Sequence, residues 1–134
     1  MKNILSMIRS GFLACLFVLP LAHADEAPEV AYINLSPALV GNFAAGGSKL
    51  KFYKADIALR VTAAGKSQVQ YHEPLIRDQL VGLFSQKTEE DFATIEGKEA
   101  VRKDALLRVQ QVLQQEEGES LVDDLLFNNL VIQK

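Results

Sequence analysis

Phe52-Tyr53-Lys54-Ala55-Asp56-Ile57-Ala58-Leu59-Arg60-Val61-Thr62 carries the most regular hydrophobic pattern in the chain. Tyr53, Ala55, Ile57, Leu59 and Val61 alternate with Lys54, Asp56, Ala58, Arg60 and Thr62. A period of two puts one set on a buried face and the other on a wet face, as in a strand of an antiparallel sheet. Leu50 and Phe52 fall on the wet parity, alternating with Lys49 and Lys51, so a bulge or bend near Phe52 is expected to return them to the core. Lys49, Lys51 and Lys54 occupy both parities and read as edge-strand charges that block aggregation rather than as a basic patch.

Before this strand, Val30, Tyr32, Ile33 and Leu35 predict a first short strand that Pro37 interrupts. Residues 41–48 hold Gly41, Gly46, Gly47 and Asn42 and read as a loop or turn. On the other side, residues 63–67 with Gly65 close the strand. From 69 to 86 the period changes, with Leu75, Ile76, Leu80, Leu83 and Phe84 at helical spacing. Pro74 belongs in the first turn of that helix, or kinks it if the helix begins near Gln68. Thr88 followed by Glu89, Glu90 and Asp91 is an N-cap with acids in the first turn of a short helix bearing Phe92 and Ile95. Gly97 then punctuates the chain. Val101, Ala105, Val109, Val112 and Leu113 form a stripe through 98–117, an amphipathic helix that Gly118 stops. Residues 121–133 are apolar on both parities and predict a strand buried on both sides, central in the sheet or covered by a subunit neighbour. The class is therefore α+β: a small antiparallel sheet with two main helices in one domain over 30–134.

The N-terminus carries Lys2 and Arg9, then an apolar run over 11–21, then Ala22-His23-Ala24. This is the layout of a secretory signal, with cleavage after Ala24 and a flexible leader over 25–29. The run is too short to be a comfortable membrane span, although an uncleaved anchor is the rival reading. Removing 1–24 takes away Cys15 and His23 and leaves no cysteine and a single histidine, His72. Lys2 and Arg9 go with it, so twelve basic residues face seventeen acidic ones, a net of −5. Such a balance disfavours nucleic acid and anionic lipid as partners.

The inventory for chemistry is thin. His72 beside Glu73 and Pro74 reads as a helix-entry or surface residue, and no second histidine or cysteine completes a zinc site. The acidic groups at 89–91, 116–117 and 123–124 lack the alternating ligands and central glycine of a calcium loop. Gly65-Lys66-Ser67 imitates the end of a phosphate loop, but Arg60 stands where that motif needs glycine. No serine has the glycine-flanked elbow of a hydrolase. The residues alone point to a binding or scaffolding module without cofactor, metal or small-molecule substrate.

The order of elements and several segments resemble a known family. The likeness runs through Tyr32, Leu35-Ser36-Pro37 and Asn42, then the strand 52–59, then Pro74-Leu75-Ile76-Arg77-Asp78. It continues through residues 83–91, Gly97-Lys98 and Arg102 and closes on Leu126-Phe127-Asn128-Asn129-Leu130-Val131-Ile132-Gln133. This set is similar to the periplasmic part of the flagellar basal-body FliL family. The resemblance implies a fold like the stomatin-type SPFH domain, and self-association into a ring around the stator of the flagellar motor at the inner membrane. It implies support of motility and chemotaxis without catalysis. The family's cytoplasmic tail and transmembrane helix are replaced here by the signal-like segment, which puts membrane anchoring in doubt. The alternative is a periplasmic ligand-binding or chaperone-like module. Interface residues on this reading are Arg77 and Asp78 in the first main helix, Arg102 and Arg108 in the second, and Phe127 and Val131 in the last strand. Arg77 and Asp78 can equally pair within the fold.

Overall fold

The computed structural model describes residues 26–44 and 49–133, so the signal reading over 1–24 lies outside the described residues. The element order is β1 (Val30–Asn34), β2 (Leu39–Ala44), β3 (Leu50–Thr62), a 3₁₀ turn (Ala63–Gly65), α1 (Lys66–Tyr71), α2 (Glu73–Ser85), α3 (Glu89–Ala93), α4 (Ile95–Glu117) and β4 (Val122–Gln133). The architecture is α+β, with one layer of helices on one face of an antiparallel sheet.

The alternating stretch over 52–62 lies in β3, and β3 is the spine of the sheet. Along one edge it pairs with β1 and then with β2, and along the other with β4, all antiparallel. β1 and β2 are one interrupted strand. Val30 faces Thr62 and Asn34 faces Ala58, but Leu39 faces Ala55, so the edge gains two residues around Ser36 and Pro37. The Ser36-Pro37 peptide is cis. On the opposite edge β4 also slips register between Asp56 and Ile57, leaving Asn128 as the extra residue.

Four expectations differ from the structure. The final strand is not central: β4 lies at the sheet's outer edge, and the slip at Asn128 swaps its parity, so that Leu125, Phe127, Leu130 and Ile132 all face the core while Leu126 and Val131 face out. The lysine-bearing strand β3 is the central one, and Lys51 reaches Glu89 of α3 in an ion pair. No bulge brings Leu50 and Phe52 inward, because β3 keeps one register against β2 throughout, and both side chains stand on the outer face, 67% and 47% exposed. Gly41, assigned to a loop, sits inside β2 opposite Tyr53.

The core forms where the inner parity of β3 meets the helices. Tyr53, Ala55, Ile57, Leu59 and Val61 pack against Ile76, Leu80 and Phe84 of α2 and Val101, Ala105, Val109 and Leu113 of α4. Four aromatic rings centre it: Phe92 lies 4.9 Å from Phe43, 5.8 Å from Tyr53 and 6.2 Å from Phe84, and Tyr53 lies 5.3 Å from Phe84. The helix before Pro74 does begin early, at Lys66, and it breaks at His72. Pro74 then occupies the opening turn of α2, where its missing N–H costs nothing. Thr94, not Gly97, marks the start of the long helix: its hydroxyl oxygen accepts from the Gly97 N–H at 2.9 Å, and Ile95 begins α4 as an 84% exposed residue. Gly118 ends α4 in the left-handed region at φ 76°.

α3 has only five residues and relies on its ends. Thr88 accepts from the Asp91 N–H at 3.3 Å, and Asp91 accepts from the Thr88 N–H at 2.8 Å, a reciprocal capping box. The Thr88 N–H holds the Asp91 carboxyl below its usual range. Thr88→Ala will lower the unfolding free energy by about 1 kcal/mol in urea titration, because it orphans a helix N–H that seats Phe92. A loss under about 0.3 kcal/mol would show that the cap is dispensable.

Candidate functional site

Among the described residues the helices cover one face of the sheet and leave the other open. The other is a lattice of outward side chains whose rungs follow from the strand register. Tyr32, Arg60 and Asp124 make one rung and Asn34, Ala58 and Leu126 the next; Asp56 and Asn129 come after the register breaks. Val40, Lys54 and Val131 follow, and Asn42, Phe52 and Gln133 close the face. Of the ten exposed large apolar side chains among the described residues, six stand here: Val30, Tyr32, Val40, Leu50, Phe52 and Val131. Isolated exposed hydrophobics need no account, but a grouping on one ordered face marks an interaction surface.

The two register breaks face each other across β3 and open a notch of about 430 Å³ in the middle of this face, lined by Asn34, Ser36, Ala38, Asp56, Asn128 and Asn129. Asn128 Nδ2 reaches Asn34 Oδ1 at 3.4 Å, bridging the two outer strands over Ala58. The bridge accounts for the burial of Ala58 on an otherwise open face. The Asp56 carboxylate has no hydrogen-bond or ion-pair partner among the described residues. From the helical side, Arg77 Nη1 donates to the Pro37 carbonyl at 2.7 Å, so α2 fixes the loop that forms one wall.

A second concavity runs between β4 and the start of α4. It measures about 720 Å³ and is lined by Ile95, Lys98, Glu99, Arg102, Phe127 and Leu130 among others. Arg102 is the brace here. It donates to Glu99 at 2.6 Å and 2.8 Å, to the Asp124 carboxylate, and to the Leu125 carbonyl at 3.2 Å. These partners raise the Arg102 pKa, and the Arg102 guanidinium holds the Glu99 carboxyl below its usual range.

The six residues singled out from the sequence thus fall in different places. Arg77 supports the notch from behind, and Asp78 is exposed on α2. Arg102 and Phe127 share the groove, with Phe127 half-buried against Phe84 at 6.0 Å. Arg108 donates to Gln79 Oε1 at 3.2 Å and ties α4 to α2. Val131 lies on the open face, 42% exposed. Tyr32, Asn34, Val40, Phe52 and Asp56 were not singled out, although their shared outward parity was a usable signal. His72 spans from the α1–α2 joint to Glu117 at the end of α4, 2.6 Å away, which is a brace between helices.

A search for known relatives converges on one family. The model of a family described as flagellar basal body-associated protein FliL matches residues 32–133, from within β1 to the last residue of β4. Flagellar protein FliL of Aquifex aeolicus (strain VF5) is 32% identical over 108 residues, covering 79% of this chain and 64% of that protein. The chain therefore spans less than two thirds of that relative's length. Among the described residues, no helix is long and apolar enough to cross a membrane. With three whole strands, most of β1 and all four α-helices inside the matched region, the chain belongs to the FliL family of flagellar basal body-associated proteins.

Proposed function

We propose that this domain is a non-catalytic scaffold on the periplasmic side of the inner membrane, which binds the stator and assembles with copies of itself into a ring that supports flagellar rotation and chemotaxis. The observation that carries the reading is the open face of the sheet. It is rigid, since β3 is hydrogen-bonded on both edges, and it is greasy beyond what a solvated face requires. Burying apolar area yields about 25 cal/mol per Å², so Phe52, Val40 and Val131 are the natural anchors of an interface. A sheet backed by a single helical layer also accords with the likeness to stomatin-type SPFH domains, which we extend to the mode of assembly.

Deleting the gene is expected to shrink swimming halos under viscous load, with wild-type complementation restoring them. Complementation with Phe52→Asp should leave the halo at the size of the deletion strain, while a denaturant melt of the purified variant stays within about 0.5 kcal/mol of wild type, as for other surface changes. Unchanged motility in the deletion strain would end the proposal. A strict monomer by light scattering at high protein concentration would remove its ring-forming half.

A further inference from the structure

We propose that the notch at the centre of the open face is a receptor for an arginine side chain presented by a partner protein. The inference rests on the open face being a docking surface and names the chemistry at its middle. Two breaks in strand register meet at one level of β3, one at Ser36-Pro37 and one at Asn128. Coincident bulges re-aim side chains and free backbone groups. What they expose is one carboxylate, Asp56, among the oxygen-bearing side chains of Asn34, Ser36, Asn128 and Asn129. Among the described residues no cationic side chain lines the notch, and Lys54, two residues along on the same face, makes no ion pair with Asp56.

The donor set decides between cations. A divalent metal ion needs several carboxylate ligands, and one carboxylate with neutral amides binds it poorly. A guanidinium has five N–H donors in a planar fork. It takes one carboxylate with two parallel hydrogen bonds and distributes the remaining donors to neutral acceptors. That is the composition found here. Val40, Lys54 and Val131 stand on the rung beside Asp56, so residues flanking a partner's arginine would cover apolar surface as the guanidinium enters. Arg77, holding the Pro37 carbonyl at 2.7 Å, acts as a positioning residue for the Ser36 wall.

The test uses N-acetyl-arginine amide as the probe, followed through the side-chain amide resonances of Asn34, Asn128 and Asn129 in the purified chain. Saturable shifts are expected, weaker ones with N-acetyl-lysine amide and none with N-acetyl-citrulline amide, the neutral isostere. Asp56→Asn should weaken arginine binding by about tenfold or more, or about 1.4 kcal/mol, and Glu116→Gln, at the far end of α4, should leave it unchanged. Equal responses to citrulline and arginine overturn the proposal. So does calcium chloride shifting these amides when arginine does not. Motility separates this idea from the one beneath it. If Phe52→Asp fails to complement a deletion strain while Asp56→Asn complements fully, the arginine assignment falls and the scaffold reading stands.

Discussion

Phe92→Ala will destabilise the domain by about 3–5 kcal/mol, the range for emptying a large aromatic from a packed core. Phe92 is 1% exposed, although it sits in a helix of only five residues. Its ring touches Phe43 of β2, Tyr53 of β3 and Phe84 of α2, and so joins three elements that the chain visits at different times. The surrounding rings belong to separate backbones and cannot collapse together into the space, which places the cost toward the upper end. Domains of this size have about 5–15 kcal/mol in total, so the variant should melt some 12–30 °C below wild type. Urea titration should show a lower midpoint with an unchanged slope. Phe127→Ala provides the comparison, because its ring is only half-buried and, among the aromatic rings, pairs with Phe84 at 6.0 Å. Equal costs for the two would mean that Phe92 is not the hub of the core.

The architecture was legible wherever one physical signal stood alone. The alternation in β3, the stripe through α4 and the cap at Thr88 each follow from a single periodicity or hydrogen bond, and each appears where the residues place it. The errors have two causes. Leu50 and Phe52 look like core because they are apolar, yet a sheet with helices on one side leaves its other parity uncovered whatever it contains. β4 looks buried on both sides because the slip at Asn128 swaps its parity: Leu125 and Phe127 before it and Leu130 and Ile132 after it all face the core, while Leu126 and Val131 belong to the open face. A side chain destined for another surface cannot be told by composition from one destined for the core. The notch was not legible, because it depends on two register slips from segments about 90 residues apart in the chain meeting opposite one residue of β3. The residues that carried the family likeness, Ser36-Pro37 and Asn128-Asn129, nonetheless include both slips.

Gly41→Ala is expected to cost about 1–3 kcal/mol, reversing the usual sign, because alanine normally improves on glycine inside a strand by about 0.5–1 kcal/mol. The reversal comes from Tyr53. An added Cβ would lie 2.5 Å from its Oη and 2.8 Å from Cζ, well inside van der Waals contact. The tyrosine covers the glycine of the edge strand, and β2 gains from the ring what it lacks in a side chain. The arrangement has its own cost, since Tyr53 is fully buried and its Oη has no hydrogen-bond partner among the described residues. Tyr53→Phe should therefore gain about 1 kcal/mol at neutral pH. In that background Gly41→Ala should cost measurably less, with a coupling of about 0.5–2 kcal/mol. Alkali supplies an independent check. Burial pushes the Tyr53 phenol from 10.0 up to about 12. Below pH 10 both folded and unfolded chains keep this proton and it contributes nothing to pH dependence. Between pH 10 and about 12 the unfolded chain releases it while the folded one holds it, so stability falls by about 1.4 kcal/mol per pH unit. Urea titrations at pH 8 and pH 11 should therefore show wild type losing about 1 kcal/mol more than Tyr53→Phe. Parallel losses in the two proteins, or additive costs for Gly41→Ala and Tyr53→Phe, would mean that this phenol is hydrated in the folded state and that its ring does not bear on Gly41.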